Sequence, residues 1–179
     1  MTFAPKLNLS TTMKRIGIFY GSATGNTEAA AQEIKQAFGD GADLFNVDGT
    51  PASKVAEYDN VILGTSTWGM GDLEDSMSSF VDDLNKVNLS GKTIALFGMG
   101  DQNCYSDTYC DGMGHLYEAV DGKGATIVGA VDTDGYDYSS STAVVNDEFV
   151  GLALDADNQA DKTTERINAW VAQLKEKFQ

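Results

Sequence analysis

The chain has 179 residues, 42% of them apolar or aromatic, a length that suits one domain with a substantial core. Its 27 acidic against 12 basic residues give a formal charge of -15, a field that repels nucleic-acid backbones and anionic membrane faces and favours basic partners. No stretch approaches the roughly 20 uninterrupted apolar residues of a membrane span, and no charged-then-apolar leader opens the sequence, so a soluble protein is expected.

Arg15 to Tyr20 (RIGIFY) is a short apolar strand, followed by a Gly/Ser/Thr turn and a helix over Glu28 to Phe38, where Ala30, Ile34, Ala37 and Phe38 recur at helical spacing. Leu44 to Val47 gives a weak strand, Ala52 to Glu57 a short helix, and Asn60 to Ser66 (NVILGTS) a strand whose apolar run lacks alternation, as a strand buried on both faces does. After a Gly-rich loop, the spacing of Met77, Phe80, Val81 and Leu84 predicts a helix over Glu74 to Leu84. Lys92 to Gly98 (KTIALFG) is another continuous apolar strand. A long loop, a helix over Gly114 to Val120 and a fifth strand over Ala125 to Val131 follow. A closing helix over Thr163 to Phe178 turns Ile167, Trp170, Val171, Leu174 and Phe178 inward.

Strands alternating with helices imply right-handed crossovers and a parallel sheet covered on both faces, with ligands beyond the carboxyl ends of the strands. The loops after strands one, three and four are therefore the candidate site. Asp132 to Asp161 is too long for an ordinary connection and reads as an insertion. Residues 1–13 read as an extension outside the fold, leaving 14–179 as the domain. Cys104 and Cys110 are too few for a disulfide scaffold, and the single His115 leaves no zinc set, so free thiols in a reducing compartment are expected.

The first candidate loop is Gly21-Ser22-Ala23-Thr24-Gly25-Asn26-Thr27. It brings amides and three hydroxyls to a helix N-terminus, an arrangement that binds phosphate through backbone N–H groups and the helix dipole. It lacks the lysine and spacing of a triphosphate-hydrolysing loop and the Gly-x-Gly-x-x-Gly of a dinucleotide fingerprint. The second loop, Ser66-Thr67-Trp68-Gly69-Met70-Gly71-Asp72, sets a tryptophan among glycines; the third, Gly98-Met99-Gly100-Asp101-Gln102, is soon followed by Tyr105. A slot between Trp68 and Tyr105 suits a planar ring system, whose two faces stacking would bury.

SATGNT, STWGMGD and GMGDQNCY resemble the phosphate loop and the two flavin loops of the flavodoxin family, and the resemblance extends over nearly the whole chain from Lys14. The stretch TDGYDYSSSTAVVNDEFVGLALDADNQ is similar to the long-chain form, in which an inserted loop interrupts the fifth strand. The resemblance implies a flavodoxin-like three-layer α/β sandwich with a five-stranded parallel sheet in the order 2-1-3-4-5. It implies FMN, with Ser22, Thr24, Asn26 and Thr27 around the phosphate and Trp68 and Tyr105 on opposite flavin faces. Backbone from Gly69, Gly100 and Asp101 would lie near the ring edge. Ala23, Gly25, Ser66, Thr67, Met70, Gly71, Met99 and Cys110 complete the expected cofactor-binding set. Cys104, Thr108 and Cys110 depart from the residues expected in the second flavin loop.

The implied function is that of a low-potential one-electron carrier, not an enzyme, that holds FMN non-covalently and cycles between semiquinone and hydroquinone. The Gly69–Met70 peptide would rotate so that the Gly69 carbonyl accepts a bond from the protonated flavin nitrogen. Basic redox proteins such as a ferredoxin/flavodoxin–NADP reductase would dock on acidic patches, with Asp72/Glu74/Asp75 and Asp132/Asp134/Asp137 as candidates. A monomer in the cytoplasm is expected, or in a plastid stroma for an algal source. The rival readings are an FMN-dependent NAD(P)H:quinone-type reductase and a phosphorylated signalling receiver. The receiver needs acidic residues where Gly21-Ser22 stands and a phosphate-accepting aspartate where Thr67-Trp68 stands.

Overall fold

A computed structural model describes residues 12–179. Of the extension expected at residues 1–13, residues 1–11 lie outside the described residues, whereas Met13 is half-buried against the core.

The first strand, β1 (Ile16–Gly21), pairs in parallel with β2 (Ala42–Asn46) on one side and β3 (Asn60–Trp68) on the other. β3 pairs in turn with β5 (Thr93–Met99), with Asn60 opposite Thr93 and Ser66 opposite Met99. The last position of the sheet is shared by two short strands. β6 (Thr126–Val128) pairs with Thr93 to Ala95 of β5, and β10 (Leu152–Leu154) pairs with Phe97 to Met99. Counted as main strands, the order is the expected 2-1-3-4-5, with the fifth strand interrupted.

Helices cover both faces. α1 (Asn26–Phe38) and α4 (Thr163–Lys175) cover one with Ala30, Ala31, Ile34, Ile167, Trp170 and Leu174, which meet Ile16, Ile18, Ile62 and Phe97 of the sheet. α2 (Asp75–Leu84) and α3 (Asp111–Val120) cover the other with Met77, Phe80, Leu84, Met113 and Leu116 against Phe19, Val61, Leu63, Ile94 and Leu96. Neighbouring strand residues therefore enter opposite cores. This is why β3 and β5 read as unbroken apolar runs instead of alternating.

The interruption has a local cause at each end. Gly129, at φ 89, turns the chain away from the sheet; its carbonyl accepts a 2.8 Å bond from Trp170 Nε1, and a Cβ there would lie 2.7 Å from that nitrogen. Gly151 returns the chain so close to β5 that a Cβ would stand 2.0 Å from the Leu96 carbonyl oxygen. Between them lies a small antiparallel sheet, β7 (Val131–Asp132), β9 (Glu148–Phe149) and β8 (Val144–Val145). Asn146 and Asp147, both at positive φ, form the two-residue turn that joins β8 to β9. Phe149 anchors the insertion, packed edge-on against Tyr136 at 4.9 Å and Tyr109 at 5.9 Å.

Several boundaries differ from the sequence reading. The insertion ends before Leu152 instead of at Asp161, because Leu152, Ala153 and Leu154 resume the fifth strand. α3 begins at Asp111, three residues before the expected Gly114. Gly112 approaches β3 so closely that a Cβ would be 2.6 Å from the Ser66 carbonyl, so glycine here marks helix packing, not helix absence. The expected helix over Ala52 to Glu57 is a 3₁₀ helix, and α4 ends at Lys175, although Phe178 still stacks on Phe38 with ring centroids 6.0 Å apart.

Candidate functional site

All three expected loops leave the carboxyl ends of β1, β3 and β5 and meet in one open cleft, where a sheet of this kind places its ligands. Thr24 and Asn26 line it from the first loop, Ser66, Thr67, Trp68 and Gly69 from the second, and Met99, Gly100, Asp101 and Tyr105 from the third. Thr108 lines it as well. A fourth segment, Ala156 and Asp157 after β10, was not foreseen. Its signal was available: strands of this sheet deliver ligand residues just past their carboxyl ends, and Leu152 to Leu154 is such an end once recognised as strand.

At the phosphate-type loop, Gly25 is left-handed at φ 97 and its amide donates to Ser22 Oγ at 3.1 Å. The first helical bond runs from the Ala29 amide to the Gly25 carbonyl at 2.9 Å, so the amides of Asn26, Thr27 and Glu28 precede the hydrogen-bonded ladder. Thr27 is 1% exposed, and its Oγ1 has no hydrogen-bond partner among the described residues. A buried hydroxyl without a partner is costly in an isolated protein and is what an anion site leaves for its ligand.

The second loop is a tight hairpin. Gly71 donates to the Trp68 carbonyl at 3.1 Å, Gly69 takes φ 53, and β4 (Asp72–Leu73) folds back on the end of β3. Trp68 Nε1 donates to Ser66 Oγ at 2.8 Å. His115 Nε2 donates to the Gly71 carbonyl at 2.9 Å, fastening the far end of the hairpin to α3. Glu74 does not contribute to an acidic docking patch, as the sequence had suggested: it is buried, and its Oε2 caps α2 by accepting from the Met77 amide at 3.0 Å.

In the third loop, Asp101 Oδ1 accepts from the Asn103 and Cys104 amides at 3.0 and 2.9 Å and from Asn158 Nδ2 at 2.8 Å. The Cys104 amide foremost, with Asn158 and Asn103, holds the Asp101 carboxyl below the usual range. The same carboxylate raises the exposed Cys104 thiol.

Among the described residues, the large exposed apolar side chains are Trp68, Met70 and Tyr105, at 42%, 91% and 55%, all in these loops. No lysine, arginine or histidine among the described residues lines the cleft, whereas Asp101 and Asp157 do. Other expected contacts stand apart from its walls. Ser22, Ala23, Gly25 and Thr27 share the first loop with Thr24 and Asn26 without lining the cleft, while Met70 and Gly71 belong to the hairpin tip. Cys110 departs most: it is fully buried in the core, with Sγ 3.6 Å from the Gly98 carbonyl and its thiol pushed up by desolvation. Both cysteines are free.

The flavodoxin family model matches residues 18–170. A flavodoxin from Picosynechococcus is 48% identical over 168 residues, spanning 93% of this chain and 99% of the relative, and one from Helicobacter pylori is 42% identical over a similar share. The crystal structure of Fusobacterium nucleatum flavodoxin bound to flavin mononucleotide superposes with a TM-score of 0.89 at 34% identity, covering 93% of this chain and all of that one. Sheet order, interrupted strand and overall similarity agree, and the chain belongs to the flavodoxin family.

Proposed function

We propose that this chain holds one FMN non-covalently in the cleft between Trp68 and Tyr105 and carries electrons singly between larger redox proteins. The observation that carries this reading is one cleft joining two exposed aromatics to a helix N-terminus whose Thr27 hydroxyl is buried and unpartnered. The donor set fits the group: amides and hydroxyls of Ser22, Thr24, Asn26 and Thr27 for the phosphate, apolar faces of Trp68 and Tyr105 for the ring. FMN supplies one-electron chemistry; the residues decide how readily each electron is accepted.

Trp68 and Tyr105 exclude water from the ring faces, which strengthens every electrostatic interaction in the slot. The Gly69 carbonyl accepts a bond from a ring N–H when its peptide rotates, a motion that glycine at φ 53 permits. Asp101 and Asp157 oppose added negative charge, and no cation among the described residues of the cleft wall offsets them. Each unit charge about 8 Å away at an effective dielectric near 40 contributes on the order of 1 kcal/mol of repulsion. The potential for the second electron is accordingly low.

Membership of an electron-transfer family separates this chain from a quinone-type reductase. Its redox partners dock at the face carrying Met70, Trp68 and Tyr105, and the charge of -15 selects basic ones, such as a ferredoxin/flavodoxin–NADP reductase. No described helix is long and apolar enough to cross a membrane; a cytoplasmic location, or a plastid stroma, suits the reading. Reconstituted protein mixed with NADPH and cytochrome c should reduce the cytochrome only after a separate reductase is added. Rapid reduction by the chain and NADPH alone contradicts the carrier assignment.

A further inference from the structure

Asp155, immediately after β10, is fully buried, yet no cation pairs with it among the described residues. Its charge is met by neutral donors alone. Oδ2 accepts from the Gln102 amide, Gln102 Nε2 and Asn158 Nδ2, each at 2.9 Å, and Oδ1 accepts from the Asp157 and Asn158 amides at 3.1 and 2.9 Å. A buried carboxylate kept in this way is expensive unless every donor stays in place.

Gln102 carries the contact onward. It is 3% exposed, its Nε2 also donates to Gln159 Oε1 at 2.9 Å, and its Oε1 accepts from the Asp137 amide at 2.5 Å. Gln159 in turn donates to the Gly135 carbonyl at 2.9 Å and accepts from Arg166, whose guanidinium lies 3.9 Å above the Tyr136 ring. Asn158 closes the bracket by donating to Asp101 Oδ1 at 2.8 Å. One carboxylate thus ties together the Asp101–Tyr105 loop, the Ala156–Asp157 wall and the insertion.

We infer that Asp155 is the positioning residue of the flavin slot. Through Gln102 it clamps the Tyr105 side of the cleft to the inserted segment, and it sets a fixed negative charge behind that wall. The insertion therefore shapes the cofactor site from behind. This rests on FMN occupying the cleft as proposed above.

Two variants separate the clamp from the charge. Asp155→Asn presents an N–H donor to donors already present and removes the charge; Gln102→Met cuts the clamp and keeps the charge. Fluorescence titration of each apoprotein should show FMN affinity weakened about tenfold in both, since each variant breaks bonds that hold this wall in place. Potentiometry should place the second one-electron potential of Asp155→Asn at less negative values, with that of Gln102→Met unchanged. A purely structural role lowers thermal stability and leaves both potentials alone. Affinities within twofold of the unaltered chain in both variants, or an unmoved potential in Asp155→Asn, overturn the inference. If Asp155→Asn does not fold, Gln102→Met decides by affinity and by faster hydrogen exchange at the Asp137 amide. Failure of the unaltered chain to bind FMN would instead refute the functional reading, and exchange at Asp137 in the apoprotein would still test the clamp.

Discussion

The Trp68 indole is fixed by Ser66, two residues away on the same strand end: Nε1 donates to the serine Oγ at 2.8 Å and holds a 42%-exposed ring at the edge of the cleft. An aromatic wall held in advance loses less freedom when a ring stacks on it. Ser66→Ala frees the indole. With a net hydrogen bond worth about 1 kcal/mol, FMN affinity should fall about fivefold with little change in fold stability. Titration of the apoprotein by flavin fluorescence reads this directly.

Thr27 gives a prediction of opposite signs. Its buried Oγ1 has no partner among the described residues, so Thr27→Val removes an unsatisfied hydroxyl without changing shape. The apoprotein should gain about 1 kcal/mol in urea unfolding, while FMN affinity falls about tenfold because a charge-assisted bond to the phosphate is lost. Stabilities and affinities moving in the same direction would contradict the phosphate assignment of this loop.

Gly69 stands at φ 53, and a Cβ added there would lie 3.1 Å from Asp72 Oδ2. Gly69→Val should strain the hairpin by about 1–2 kcal/mol and resist peptide rotation. An anaerobic redox titration should then show the two one-electron potentials drawn closer together. An unaltered separation contradicts a role for the Gly69 carbonyl.

Acid should loosen the third loop. The folded Asp101 carboxyl sits below its unfolded value of about 3.9, so its contribution is present above about pH 4. It is lost as pH falls through the folded value. Urea midpoints measured from pH 7 to pH 3 should drop at the acid end, and Asp101→Asn should be less stable at pH 7 with a shallower acid decline.

The sheet was readable because its strands are buried on both faces: NVILGTS and KTIALFG can be little else. The cleft was readable for a related reason, since glycine, hydroxyl and aromatic residues stand at the ends of those strands. What escaped depends on contacts distant in sequence. Leu152 to Leu154 looked like part of a polar insertion because only pairing with Phe97 to Met99 makes it strand, and Ala156 and Asp157 were missed with it. Cys110 belongs to the set the resemblance implies, and its side chain is buried in the core just before the helix that begins at Asp111, a placement no local pattern reveals. Glu74, one of a run of acids, is a helix cap whose burial no charge pattern reveals.

The most direct test is titration of purified apoprotein into FMN while flavin fluorescence is recorded. The account predicts quenching that saturates at one FMN per chain, with a yellow complex that survives gel filtration. Fluorescence that stays undiminished, with protein that elutes colourless, would contradict it.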